Sequence, residues 1–456
     1  MFPRKLRTLP LLLLGLLSAS AALANPFETT LKNGLKVIVK EDRRAPTAVH
    51  MVWYKVGSMD EVDGTSGLAH ALEHMMFKGT PKVGPGEFNK RVAAAGGRDN
   101  AFTNYDYTAY FQQIPKQKLP EMMALEADRM SHLTLDPKEF AKEIQVIMEE
   151  RRMRTDDNPQ SLLFEALNAA AYQAHPYRRP VIGWMADLEQ MTAADLRDWY
   201  RRWYVPNNAT LVVVGDVDHQ AVFREAEKTY GKVRSRAIES RKPIAEAPQK
   251  GIRRITVKGP AELPQVLLAW KAPVLRDVNK DADPYALEML GAVLDGHDAA
   301  RLTRHLVKEQ RLAQGVGSAY DTTSRGPSLF FLMATPAEGH TPAELEAALK
   351  AEVARIAAEG VSEEELQRAR AQLVASQVYK RDSMFAQAME IGQMEIVGLS
   401  YRAVDTMIDK LKAVTAADVQ RVARQYFNDD SLTVGLLEPQ PLDEAPRRRA
   451  TAGARH

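Results

Sequence analysis

The chain has no cysteine among its 456 residues and almost no net charge, and after its first two dozen residues it has no apolar run long enough to span a bilayer. The first absence excludes a disulfide scaffold and a lipid-modified cysteine, so stability must come from core packing. The second, a formal charge of +2, gives neither a basic surface for nucleic acid nor an acidic one, and no nucleic-acid partner is expected. The third confines any membrane-directed signal to the N-terminus. There Arg4, Lys5 and Arg7 precede the apolar run Leu9 to Leu17 and a small-x-small site at Ala22-Leu23-Ala24. That is the pattern of a cleaved secretion signal over residues 1–24. The mature chain is expected to begin near Asn25, in the periplasm, with no stable membrane anchor after cleavage and full secretion as the lesser alternative.

About 430 mature residues exceed what one hydrophobic core usually serves, which points to two domains. An internal repeat supports that division. Thr192-Ala193-Ala194-Asp195 leads into a helical pattern, then Trp203-Tyr204, a turn at Pro206-Asn207-Asn208 and an apolar strand from Thr210 to Gly215. At an offset of 223 residues, Thr415-Ala416-Ala417-Asp418 leads into the same series: helix, Tyr426-Phe427, Asn428-Asp429-Asp430 and a strand from Leu432 to Gly435. Each Thr with Asp three residues on is a capping-box variant. One such match is ordinary; the shared order of five features indicates duplication. Residues 237–250, with Pro243, Pro248 and no apolar periodicity, read as the linker between a domain over 25–236 and a homologous one over 251–438. Residues 439–456 read as a disordered basic tail. Alternating strands such as Leu35 to Lys40 and Ala48 to Val56, mixed with amphipathic helices such as Pro342 to Glu359, predict an α+β fold: two similar domains, each a mainly antiparallel sheet packed by helices.

Ser66 to Gly79 is predicted as a helix capped by Thr65 or Ser66, and it contains His70-Ala71-Leu72-Glu73-His74. Histidines at i and i+4 lie one turn apart on one face, where both imidazoles can reach the same ion. Glu73 projects from nearly the same face, placed to take a proton from a metal-bound water without being a ligand. The pentapeptide is the His-Glu-x-x-His arrangement read in the opposite chain direction. A catalytic zinc needs a third protein ligand and an open position. Asp136-Pro137 starts a second helix, expected to run to about Arg154, whose apolar stripe Phe140, Ile144, Ile147 and Met148 is flanked by Glu143 and Glu150. Carboxylates beside an apolar face are costly unless paired or bound to metal. Glu150 is therefore assigned as third ligand, ahead of Glu149 a quarter-turn away, and Glu143 as the carboxylate that orients a histidine. Against this stands the reading of Glu149-Glu150-Arg151-Arg152 as a solvated charge run. The other eight histidines show no ligand spacing.

These residues resemble the pitrilysin-like, or mitochondrial processing peptidase-like, zinc peptidases. Gly67 to Thr80 is very close to that family's signature, and Glu150 and Glu143 fall where the family has its third ligand and accompanying glutamate. The resemblance implies one zinc per chain, hydrolysis of short or unfolded peptides, and two similar domains forming half or all of a clamshell. It also implies that Asn100, Ala101 and Phe102 lie on a strand beside the zinc to which an extended peptide substrate adds, backbone to backbone. One departure matters. Active single-chain members carry an Arg and a Tyr seven residues apart in the second domain; aligned on Arg301-Leu302, Leu306, Glu309 and Leu312-Ala313, those positions here are Val307 and Gln314. Losing such a donor to the developing oxyanion costs about 3 to 4 kcal/mol. A paralogous partner subunit, lacking the zinc motif but carrying the Arg and Tyr, is therefore expected, with local substitution by Arg304 or Arg311 as the alternative. The rival from another class is a non-catalytic peptide-binding or assembly subunit of the same fold.

Overall fold

The computed structural model describes residues 26–239 and 241–441. The signal reading of residues 1–24 and most of the basic tail fall outside them. The chain forms two sheets. The first contains β1 (Phe27–Thr30), β2 (Lys36–Glu41), β3 (Thr47–Tyr54), β4 (Arg98–Thr103), β5 (Thr108–Pro115) and β6 (Ala209–Gly215), in the order β1-β2-β6-β3-β5-β4. The second contains β7 (Arg253–Pro260), β8 (Gln265–Ala272), β9 (Ala313–Tyr320), β10 (Ser328–Pro336) and β11 (Leu432–Gln440), in the order β7-β11-β8-β10-β9. Leaving out β1, the two orders are the same. In both, the one parallel pair joins the first and last strands of the unit, β2 with β6 and β7 with β11. The α+β expectation and the duplication are both met by this topology, and both repeats show the reciprocal capping box, Thr192 with Asp195 and Thr415 with Asp418.

Strands buried on both faces read as continuous apolar runs rather than alternating ones, and β6 is buried throughout. On one face Val37, Val39, Val52, Tyr54, Leu211 and Val213 pack on Leu68, Leu72 and Met75 of the helix Leu68–Met75, which carries the His-x-x-Glu-His motif. On the other face Ile38, Met51, Trp53, Val212 and Val214 are covered by Ala388, Ile391, Met394 and Ile396, from the helix Met384–Val397 of the second half. The exchange is reciprocal: Leu163, Leu167 and Ala171 of the first half's helix Pro159–Ala171 cover Leu267, Ala269 and Leu437 of the second sheet. Each large apolar side chain so buried stabilises by roughly 1.5–3 kcal/mol. Gly392 permits the first of these contacts, since a Cβ there would stand 2.0 Å from the Trp53 indole.

Polar groups join the halves as well. The partly buried Arg325 guanidinium reaches both Asp60 oxygens at 3.0 and 3.1 Å and donates to the Asp106 carbonyl at 2.7 Å. The halves are thus interlocked rather than hinged on a loose connection. Residues 241–250 hold neither helix nor strand, yet Glu246 accepts from the backbone N–H groups of Gln173, Ala174 and His175 at 2.7 to 2.9 Å. One boundary is corrected. The last strand does not end near Gly435 with a tail from Pro439; it continues to Gln440, pairing Pro439 with Gly259 and Gln440 with Pro260. Pairing with β8 stops at Leu437, so Pro439, which has no N–H to give, sits where the strand has a neighbour on one side only. Among the described residues no helix is long and apolar enough to cross a membrane.

Candidate metal centre and active site

The motif helix is shorter than expected, Leu68–Met75, and neither Thr65 nor Ser66 caps it. Its N-cap is Gly67 at φ 90°, a left-handed conformation that favours glycine. The orphan N–H groups of Gly67 and Ala69 are instead bonded by the buried Glu61 carboxyl, at 3.0 and 2.9 Å. Ser66 turns away to accept from the Trp184 N–H and to donate to Asp187. With Leu68, Leu72 and Met75 packed on the sheet, the helical period turns His70, Glu73 and His74 toward a cavity of about 1650 Å³.

The second helix starts as expected, Asp136 accepting from the Lys138 N–H, and spans Pro137–Arg151 before a π-helical turn at Arg152–Asp156. It delivers Glu150 Oε2 to 3.3 Å from His74 Nε2 and 3.7 Å from His70 Nε2. His70, His74 and Glu150 each offer a ligand atom within 4.8 Å of the others. Glu149 is not in that group and pairs with Arg152 at 3.0 Å. Glu143 lies 2.9 Å from His74 Nδ1 and 2.5 Å from Lys78 Nζ. A proton on His74 Nδ1, shared with Glu143, leaves Nε2 as an acceptor facing the centre.

Whether these residues suit a metal can be judged from what they leave unsatisfied. Glu150 Oε2 is buried, and among the described residues nothing but the two histidine nitrogens at 3.3 and 3.7 Å faces it, an arrangement that a cation shared by the three groups completes. Two imidazoles and one carboxylate are a donor set suited to zinc with a position open. The electrostatics agree. Burial and the neighbouring His74 hold His70 down to about 4, so it stays neutral and able to ligate. Burial opposes charge on His74, but its contacts with Glu143 and Glu150 outweigh it and raise the ring to about 9. Burial likewise opposes charge on Glu150, and the two histidines and Arg154 overcome it, bringing the carboxyl down to about 2. Surroundings that favour a proton on His74 favour a cation between these three groups.

Glu73 stands beside the centre, and its carboxyl is raised by burial, partly offset by a 2.6 Å hydrogen bond from Thr103 Oγ1. Thr103, Lys78 and Arg154 were not singled out from the sequence. Thr103 ends the segment that holds Asn100 to Phe102, and that adjacency was the available signal. β4 is the edge strand of its sheet, paired only with β5, and Asn100, Ala101 and Phe102 line the cavity together with His70, Glu73 and His74. Among the described residues the second half contributes Gln265, Leu267 and Met333, and neither Arg nor Tyr, to the lining. Val307 packs on the second core, Gln314 lies on β9, Arg304 faces His305 and Glu365, and neither Arg304 nor Arg311 lines the cavity. Of the remaining histidines, His219 gathers with Glu41 and Asp218, but its ring and backbone N–H both meet Glu41 while Asp218 caps a helix.

A histidine pair and a glutamate around one point, with a buried carboxyl and an edge strand beside them, define the class of metal-dependent peptidases with the inverted motif. Comparison with known proteins is specific. Residues 36–184 match the family "Insulinase (Peptidase family M16)", and residues 190–373 match "Peptidase M16 inactive domain". The zinc protease PqqE of Helicobacter pylori is 32% identical over 419 residues, 90% of this chain and 92% of that one. A protease of known structure from Helicobacter pylori superposes with a TM-score of 0.86 at 31% identity, covering 91% of this chain and all of that one. The periplasmic protease PqqL from Escherichia coli shares the fold at 20% identity and a TM-score of 0.78; 91% of this chain is covered, but only 48% of that one. The chain belongs to the insulinase family, peptidase family M16, and at the level of that family it is a zinc peptidase.

Proposed function

We propose that the chain is a zinc-dependent endopeptidase acting on short or unfolded peptides, with His70, His74 and Glu150 holding one zinc and Glu73 as general base and acid. The observation that carries this is the meeting of three ligand atoms around a buried, otherwise unpartnered carboxylate oxygen. Bound zinc would supply a Lewis acid that polarises a carbonyl and lowers the pKa of water. The chain's own groups do the rest. Glu73, raised by burial and steered by Thr103, takes the proton of the attacking water and returns it to the leaving amine. Asn100 to Phe102 offer an unpaired strand edge that binds an extended backbone with little demand on its sequence. Glu143 holds the His74 ring.

Among the described residues the second half brings no Arg or Tyr to the cavity, so a paralogous subunit carrying that pair and lacking the zinc motif is proposed to complete the site. The fit of this chain to about half of PqqL is consistent with a functional unit built from two such pieces. Export to the periplasm is proposed on the pattern of residues 1–24. Zinc content of the purified chain, beside that of Glu150→Gln, is the first test: about one zinc per chain, lost in the variant, is expected. Peptide hydrolysis by the chain with and without the paralogue follows. Absence of zinc from the unaltered chain would favour a non-catalytic peptide-binding subunit instead.

A further inference from the structure

The ligands come from two helices with more than sixty residues of chain between them, so something must set their separation. The helices touch each other, but each also ends on a third segment. At Gly183 (φ 89°) and Gly67 (φ 90°) two left-handed glycines meet back to back: a Cβ on Gly183 would stand 2.6 Å from the Ser66 carbonyl and 2.8 Å from Gly67 Cα. The same segment bonds the start of the motif helix again, Trp184 N–H to Ser66 Oγ at 2.9 Å and Ser66 N–H to Asp187 at 3.0 Å. Its carbonyl at Gly183 then accepts from Arg151 Nη1 at 2.8 Å, and Arg151 is the residue next to Glu150. Arg151 is 5% exposed and is also held by Glu165 in two hydrogen bonds of 2.9 Å.

We propose that the segment Ile182–Trp184 is a positioning strap for the metal centre: it ties the start of the helix carrying His70 and His74 to the end of the helix carrying Glu150. None of its residues is a ligand, and it acts through Ser66 and Gly67 at one helix and Arg151 at the other. A carbonyl and a close glycine contact are short-range and directional, so a shift of a few tenths of an ångström at Gly183 is passed to both helix ends. Partners that orient ligands in this indirect way typically cost 10–100-fold in metal affinity when altered. Glycine is required at 183 because any Cβ there acts as a wedge between the strap and the motif helix.

The inference rests on the zinc reading, and the test separates the two. Zinc affinity is measured by chelator competition, and the visible absorption of the cobalt-substituted chain is recorded, for the unaltered protein, His70→Ala, Gly183→Ala, Arg151→Met and Arg151→Lys. If the unaltered chain binds no zinc, or His70→Ala keeps it, the zinc reading fails and the strap with it. If zinc binds and His70→Ala loses it, the strap predicts about 10–100-fold weaker binding and an altered cobalt spectrum in folded Gly183→Ala and Arg151→Met. Arg151→Lys, which can still reach the Gly183 carbonyl, should recover part of both, and it decides the matter if either other variant does not fold. Unaltered affinity and spectrum in the folded variants would overturn the strap while leaving the zinc site standing.

Discussion

Glu61 offers a prediction in which sign and size both follow from where it lies. Its carboxyl is buried at the start of the motif helix; burial raises it from the ordinary 4.5 to about 8, against the lowering effect of the Ala69 and Gly67 N–H groups and of Arg179. A carboxyl raised on folding binds more protons in the native than in the unfolded state between those two values. Its contribution is therefore fully present below pH 4.5 and is lost as pH rises through about 8. At 1.36 kcal/mol per pH unit, the native state gives up on the order of 5 kcal/mol across that window relative to a chain with no titrating group at this position. Glu61→Gln removes the titration and adds a pH-independent cost of about 1–3 kcal/mol, because the two N–H groups meet different oxygens of Glu61 and the amide puts a donor NH2 in place of one of them. Urea unfolding of both chains from pH 5 to 9, with a chelator present throughout, isolates the term, since His74 and every other titrating group are common to the two. The unaltered chain should lose stability against the variant as pH rises, and the two should run parallel above pH 8. Parallel curves from pH 5 to 8 would refute the reasoning and mean that the two N–H groups hold Glu61 ionised.

Three further outcomes are expected. Glu143→Ala should weaken zinc binding about 10–100-fold by freeing the His74 ring, read by chelator competition. Thr103→Val should lower kcat about tenfold with zinc content unchanged, because Glu73 loses its only hydrogen-bond donor among the described residues, and Thr103→Ser should restore it. Gly392→Ala should destabilise by roughly 1–3 kcal/mol in urea unfolding, since the new methyl meets the Trp53 indole and the cover helix must move outward.

How far the sequence carried differs from element to element. The 223-residue repeat was legible because a cap, a helix and a polar turn are local, and its two copies lead into matching interior strands, β6 and β11, of matching sheets. His70, Glu73 and His74 were legible for the same reason, since spacing on a helix decides which side chains share a face. The cap of that helix was misread: Thr65 and Ser66 have the right chemistry, but Glu61 takes the N–H groups while Ser66 is drawn to Asp187 and Trp184. Thr103 could be seen as a neighbour of the substrate strand but not as a partner of Glu73, which is thirty residues away in the chain.

By itself, then, the sequence determined what depends on near neighbours: the two-unit plan, the motif helix, the second helix and which of its carboxylates lies beside the apolar stripe. Only the tertiary structure decided that each sheet is covered by a helix from the other half, that Arg304 and Arg311 stay away from the cavity, and that Gly183 joins the ends of the two ligand-bearing helices. The physical reason is one of range. Helical period and capping act over three or four residues and leave a trace in composition, whereas a carbonyl meeting a guanidinium across 32 positions of chain leaves none until the packing brings them together.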